Sequence, residues 1–175
     1  MEIALSAPSP ADADEFTAAA RESRPLHRPW LDPPDTPERF AAYLVRAARA
    51  DHAAFLIRHP GCGGLVGYAN VSNIVRGGFQ SGYLGYGAFV SHAGRGLMTA
   101  GLRAVLAVVF GELGLHRVEA NVQPGNARSL GVVRRLGFEK EGFSPRYLMV
   151  DGDWRDHERW ALTAENWSPD PRHGP

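Results

Sequence analysis

One junction limits the folds open to this chain. Residues 83–90, YLGYGAFV, read as a strand rich in aromatics and glycine, and a Gly94-Arg95-Gly96 turn follows. From Leu97 to Gly111 the only charge is then Arg103. Glycine inside regular structure costs about 0.5–1 kcal/mol relative to alanine, so two at a strand-to-helix turn indicate that bare backbone is needed there. The apolar run reads as a helix over 97–113, buried on most sides. A buried helix fed by a strand through a glycine turn belongs on a sheet, in the α/β class.

The remaining sequence fits that frame. IAL (3–5) reads as a first strand. Ser9 and Pro10 open a helix, with Asp12 and Asp14 suited to its positive end. RPLHRPWLDPPD (24–35) breaks that helix, and Thr36-Pro37 start another, with Phe40, Tyr43, Leu44 and Ala47 on one face. AAFLIRH, LVGYANVSNI and HRVEANV read as strands, and NARSLGVVRRLGF as a helix capped by Asn126 and stopped at Gly137. Asp151-Gly152 centres a hairpin with a type I′ signature. The expectation is a single α+β domain over 1–168. It has a mixed, largely antiparallel sheet of six to seven strands flanked by about four helices, followed by a disordered tail at 169–175.

Composition excludes some classes. Equal numbers of acidic and basic side chains give zero formal charge, which argues against direct nucleic-acid binding. Arg103 interrupts the longest apolar run, so no segment reads as membrane-spanning, and the N-terminus does not read as a signal peptide. A single cysteine, Cys62, excludes an internal disulfide, is compatible with a cytoplasmic location, and has no His or Asp beside it. The histidines show no metal spacing, so no metal is expected.

A glycine turn before a helix N-terminus is an anion site, because the first-turn amides are free and the helix dipole adds positive charge. The P-loop pattern is missing. The dinucleotide fingerprint matches at Gly94 and Gly96, with Glu119 at a suitable spacing. Thr99 replaces its third glycine, however, and too little chain follows for a doubly wound sheet. A third reading is the pyrophosphate loop of an acyl-CoA-dependent transferase.

YANVSNIVRG, YLGYG, GRGLMT, LHRVEANVQPGNARS, LGFEKEGF and VDGDWRDHERWAL stand in one order from about Leu65 to Trp167. Together they resemble the GNAT acetyltransferase superfamily, and within it the RimJ-type branch that acetylates the N-terminal alanine of ribosomal proteins. The loop itself, AGRGLM, keeps the central Gly96 but carries Ala93 and Met98 where the family pattern has Gln or Arg and Gly or Ala. The resemblance implies acetyl-CoA as co-substrate. The amides of Gly94, Arg95, Gly96, Leu97, Met98 and Thr99 would hold its pyrophosphate, and a side chain at 94 or 96 would obstruct it. The backbone of Phe89 and Val90 would pair with the pantetheine arm, with the Val90 N–H polarising the thioester carbonyl. Asn126 would contact that arm, and Ser129 would donate to the departing thiolate. From local sequence alone, both could equally be a helix cap.

Glu119 and Asn121 share one face of their strand. Asn121 would face cofactor or substrate, and Glu119 is the candidate base, because Arg146 stands where the branch carries an acid. Trp30, Tyr86 and Tyr147 could line an acceptor groove or pack in the sheet, and His157 reads as structural. The implied partner is a protein N-terminus, a small-subunit ribosomal protein in the branch's case, and a homodimer is a candidate assembly. The alternative reading is an acetyltransferase for a small-molecule amine such as an antibiotic or amino acid.

Overall fold

The computed structural model describes residues 3–169. The elements are β1 (Ala4–Ser6), α1 (Ala13–Glu22), α2 (Arg24–His27), α3 (Pro37–Ala47), β2 (Ala53–Arg58), β3 (Leu65–Val75) and β4 (Ser81–Ala88). They continue with α4 (Leu97–Gly111), β5 (Arg117–Val122), α5 (Ala127–Arg135), β6 (Glu139–Val150) and β7 (Asp153–Thr163). The expected tail lies, apart from Pro169, outside the described residues.

The starts and stops have local causes. Ser9 and Asp12 cap each other ahead of α1, with the Ser9 amide and hydroxyl both donating to Asp12 Oδ2 at 2.7 Å. Thr36 Oγ1 accepts the Arg39 amide at 3.3 Å, and Asn126 Oδ1 accepts the Ser129 amide at 3.1 Å. Asp151 and Gly152 both have positive φ, as the type I′ turn between β6 and β7 requires. One expectation needs correction. RPLHRPW is not only a break. Its first residues form the single turn of α2, and Arg28, extended before Pro29, ends it.

The strands form one sheet in the order β1-β2-β3-β4-β5-β7-β6, antiparallel throughout except between β4 and β5. The strands feed both faces of the sheet, and a register shift at Ile57/Arg58 resets the alternation along β3. Ile57, Val66 and Ala69 join the core beneath α4 and α5, whereas Leu56, Leu65 and Tyr68 join the core beneath α1 and α3. Phe16, Phe40, Tyr68 and Phe89 pack ring against ring in the second core. Among the described residues, no helix is long and apolar enough to cross a membrane.

Candidate active site

The site begins where the sheet comes apart. β4 and β5 pair only from Ser81 to Tyr83, opposite Arg117 to Glu119, while β5 pairs with β7 along its whole length. Beyond Leu84, β4 therefore has an edge without a strand partner. The Phe89 amide donates to the Val66 carbonyl of β3 at 2.8 Å. By alternation, the odd-numbered residues of this stretch turn toward β3, and Tyr86, Ala88 and Val90 turn their backbone groups toward the opening. A cavity of about 740 Å³ fills that opening.

This alternation corrects one pair of expectations. The Phe89 backbone turns away from the opening, and the Phe89 ring is fully buried in the second core. Val90 does face the opening, but its amide donates to the buried Ser23 hydroxyl at 2.9 Å. Beside it, His27 Nε2 meets the Ala88 carbonyl at 2.7 Å. A carbonyl can only accept, so His27 carries its proton on Nε2, and its buried Nδ1 has no partner. Burial holds the His27 pKa below the usual imidazole value, with the Ala88 contact opposing it. Ser23 and His27 escaped the sequence reading because their segment read only as a helix break.

At one end of the cavity stands the glycine turn. Gly94 and Gly96 have φ of +77° and +75°, and a Cβ at either would meet no atom within 4 Å. The need for glycine is thus the left-handed backbone, where an L-residue costs roughly 1–2 kcal/mol, and steric obstruction within the protein plays no part. Gly96 is the N-cap of α4, without a side-chain cap. The first backbone bond into the helix runs from Ala100 to the Gly96 carbonyl at 3.1 Å. The amides of Leu97, Met98 and Thr99 therefore have no intrahelical acceptor. Met98 and Thr99 line the cavity, Leu97 is buried, and Arg95 is exposed beside them.

The other wall is the start of α5. The Tyr86 hydroxyl and Ser129 Oγ lie 2.6 Å apart, and the same hydroxyl lies 3.3 Å from the Ser129 carbonyl. Burial pushes the Tyr86 phenol up to about 12, so it stays protonated, with the Ser129 contact pulling the other way. Asn126 caps α5 and also lines the cavity, so its two expected roles share one geometry.

The remaining candidates lie elsewhere. Glu119 and Asn121 project from β5 away from the α4–α5 core, and neither is on the cavity wall. Arg117 Nε donates to Glu119 at 2.8 Å, and the same guanidinium clasps Glu141. Asn121 Oδ1 is buried without a partner. Tyr147 sits by His157, with ring centroids 6.3 Å apart. The buried His157 bonds the Arg155 carbonyl at 2.9 Å through Nδ1. Arg146 gives its amide to Asp156 at 2.8 Å. Of the three aromatics assigned to the acceptor, Trp30 and Tyr86 line the cavity and Tyr147 does not. Cys62 is exposed on the β2–β3 turn.

A split between parallel strands, a glycine turn at a helix N-terminus and an α5 wall presenting Asn126 and Ser129 agree with the comparison to known proteins. The acetyltransferase (GNAT) domain model matches residues 2–139. The chain belongs to the GNAT acetyltransferase family. It is 46% identical over 105 residues to the [ribosomal protein uS5]-alanine N-acetyltransferase of Escherichia coli, covering 60% of this chain and 54% of that relative. The match thus spans about half the length of that curated relative. Solved structures share the fold. Mycobacterium smegmatis RimJ in complex with CoA-disulfide superposes with a TM-score of 0.87 at 30% identity, over 98% of this chain and 86% of the other. The ribosomal-protein-S5-alanine acetyltransferase of Vibrio fischeri gives 0.82 at 26% identity, over 97% of each chain. Among the described residues there is no group of three or more His, Cys, Asp or Glu side chains able to hold a metal.

Proposed function

We propose that this GNAT chain transfers an acetyl group from acetyl-CoA to the N-terminal amine of a protein. The acceptor would be an alanine of a small-subunit ribosomal protein, as in the relatives' names, and the setting cytoplasmic. The observation that carries the reading is the Tyr86–Ser129 hydroxyl pair on the wall of the strand opening.

The residues fit the co-substrate. The unpaired amides of Leu97, Met98 and Thr99, with Arg95 near them, suit a pyrophosphate. The backbone of Tyr86 and the amide of Ala88, on the β4 edge that has no strand partner, suit the amides of a pantetheine arm, and Asn126 also lines the cavity. When bound, acetyl-CoA supplies an activated thioester. Ser129 would donate a hydrogen bond to the departing sulfur, and Tyr86 would hold the Ser129 hydroxyl in that orientation. With the Val90 amide bound to Ser23, the Ala88 amide, which also faces the opening, is the nearer candidate to polarise the carbonyl. Attack would be direct, with no acyl-enzyme.

An α-amino group has a pKa of about 7.7–8.0, so on the order of a tenth is neutral at pH 7, whereas lysine near 10.4 is almost wholly protonated. Among the described residues no Asp or Glu lines the cavity, and the candidate base Glu119 is held by Arg117, which suits the α-amine. The test is CoA release from acetyl-CoA with alanine-initiated peptides, lysine-containing peptides with blocked N-termini, and small amines. Release with the first and not the second is expected. A preference for lysine side chains or for small amines would overturn the acceptor assignment.

A further inference from the structure

Tyr86, Ala88 and Val90 turn backbone groups toward the strand opening, yet part of that edge is already taken. His27 Nε2 donates to the Ala88 carbonyl at 2.7 Å, and the Val90 amide donates to Ser23 Oγ at 2.9 Å. The Ala93 amide donates to the Val90 carbonyl at 3.2 Å. Among the described residues, what stays open on this edge is a short strip: the Tyr86 N–H, the Tyr86 C=O and the Ala88 N–H. The two side chains that close the rest come from one place. Ser23 is the N-cap of α2 and His27 its last residue, four positions on, so both stand on one face of the turn. Both are buried.

These two bonds remove a repeat. The edge of an extended strand presents the same groups at every second residue. The open strip reads donor, acceptor, donor. Two residues on, the Ala88 N–H, the Ala88 C=O and the Val90 N–H would read the same, about 7 Å along the chain. His27 and Ser23 occupy the last two of those groups. An extended arm that offers a carbonyl, an N–H and a carbonyl in that order thus finds one register where a bare edge would give it two. The register kept is the one at Tyr86, whose hydroxyl lies 2.6 Å from Ser129 Oγ. The register refused would draw the arm toward the glycine turn and away from that hydroxyl pair.

We infer that Ser23 and His27 are positioning residues that hold the pantetheine arm of the co-substrate in this single register. They act through the Val90 amide and the Ala88 carbonyl, by keeping both from the arm. The inference rests on the acyl-CoA reading and deepens it, from where the arm lies to what stops it lying elsewhere.

The experiment compares wild type, Ser23→Ala, His27→Leu, His27→Gln and the double variant Ser23→Ala/His27→Leu. Acetyl-CoA kinetics are taken at saturating alanine-initiated peptide, and CoA binding by calorimetry. A second register binds the co-substrate without bringing its sulfur to Ser129. In the double variant kcat and KM for acetyl-CoA therefore fall together, by about two- to tenfold, the worth of one neutral hydrogen bond, while kcat/KM holds. CoA binds more tightly by a similar factor. Each single removal frees one of the two groups and has a smaller effect. His27→Gln, whose amide still donates to Ala88, behaves as wild type. Weaker CoA binding in the folded variants, or a kcat/KM that falls with kcat, overturns the inference, because a merely structural clamp would act that way.

Amide hydrogen exchange supplies a readout in wild type itself, whether or not the double variant folds. Added CoA slows exchange at Tyr86 and Ala88 and leaves the already slow Val90 amide unchanged. In Ser23→Ala the Val90 amide exchanges fast until CoA slows it. A Val90 amide that CoA newly protects in wild type overturns the single register while acyl-CoA binding stands. Absence of CoA binding to wild type overturns the acyl-CoA reading, and this inference with it.

Discussion

The Tyr86 and Ser129 hydroxyls lie 2.6 Å apart, joining the free edge of β4 to the first turn of α5. Since burial keeps Tyr86 protonated, the pair can act as a donor chain in which Ser129 faces the substrate and Tyr86 orients it. Ser129→Ala is expected to lower kcat by about 100-fold, the lower end for general acid catalysis. Tyr86→Phe should cost less, because Ser129 remains. If the two act as one unit, the double variant falls no further than Ser129→Ala alone. Additive losses in kcat would show independent roles.

Gly96→Ala should be destabilising for a reason that packing does not supply. Its φ is +75° and the space around it is open, so the cost is the left-handed backbone, roughly 1–2 kcal/mol. For a chain of this size that lowers Tm by about 2–8 °C. Gly96→Asn should lose less, since Asn tolerates this region. Equal losses for Ala and Asn would point to a steric cause instead.

The order of elements was legible in the sequence because each boundary has a local cause: Ser9-Pro10, Thr36-Pro37, Gly96, Asn126, Gly137 and Asp151-Gly152 act within a few residues of themselves. The glycine turn at the start of α4 was legible for the same reason, since turn and helix are contiguous. The split between β4 and β5 was not, because which strand stands next to β4 depends on residues some thirty positions away. The direction of the Phe89 and Val90 amides follows from register with β3, and no local pattern near Phe89 encodes that register. His27 and Ser23 were hidden for a different reason. The prolines around them signal a break, and only the docking of α2 against β4 turns two ordinary polar side chains into partners of the strand edge.

Stability should fall on mild acidification. His27 and His157 are buried and held neutral, with their pKa values lowered from the ordinary 6.5 chiefly by burial. Below pH 6.5 the unfolded chain binds these protons before the folded chain does, so stability is full above that value and declines as pH falls toward the folded-state values. The carboxylates held low by arginine neighbours, such as Glu141 beside Arg117, add their loss only further down, below the ordinary value of 4.5. Urea midpoints measured between pH 7.5 and 5 should therefore decrease. In His27→Gln, where the amide can still donate to Ala88, the decrease should be shallower, and a slope equal to wild type would remove His27 from the effect.

Glu119 offers the clearest division between a base and a structural carboxylate. Arg117 holds it at 2.8 Å and binds Glu141 through its other nitrogens, so Glu119 belongs to a three-residue ion cluster on the face of the sheet away from α4 and α5. Deprotonating a substrate ammonium from that position would require it to leave Arg117. Glu119→Gln removes the charge and keeps the shape. If Glu119 anchors the cluster, kcat falls less than tenfold, and the rise of kcat/KM with pH follows the free fraction of the peptide's α-amine, with its pKa of about 7.7–8.0, in both proteins. If Glu119 is the base, the variant loses about 100-fold or more, and its profile departs from wild type in the acid limb. A companion substitution separates the two roles further. Glu141→Gln leaves Glu119 as the sole partner of Arg117, so it should leave kcat nearly unchanged if the cluster is structural. A base role would instead bring a drop in kcat, because Arg117 would then bind Glu119 more tightly.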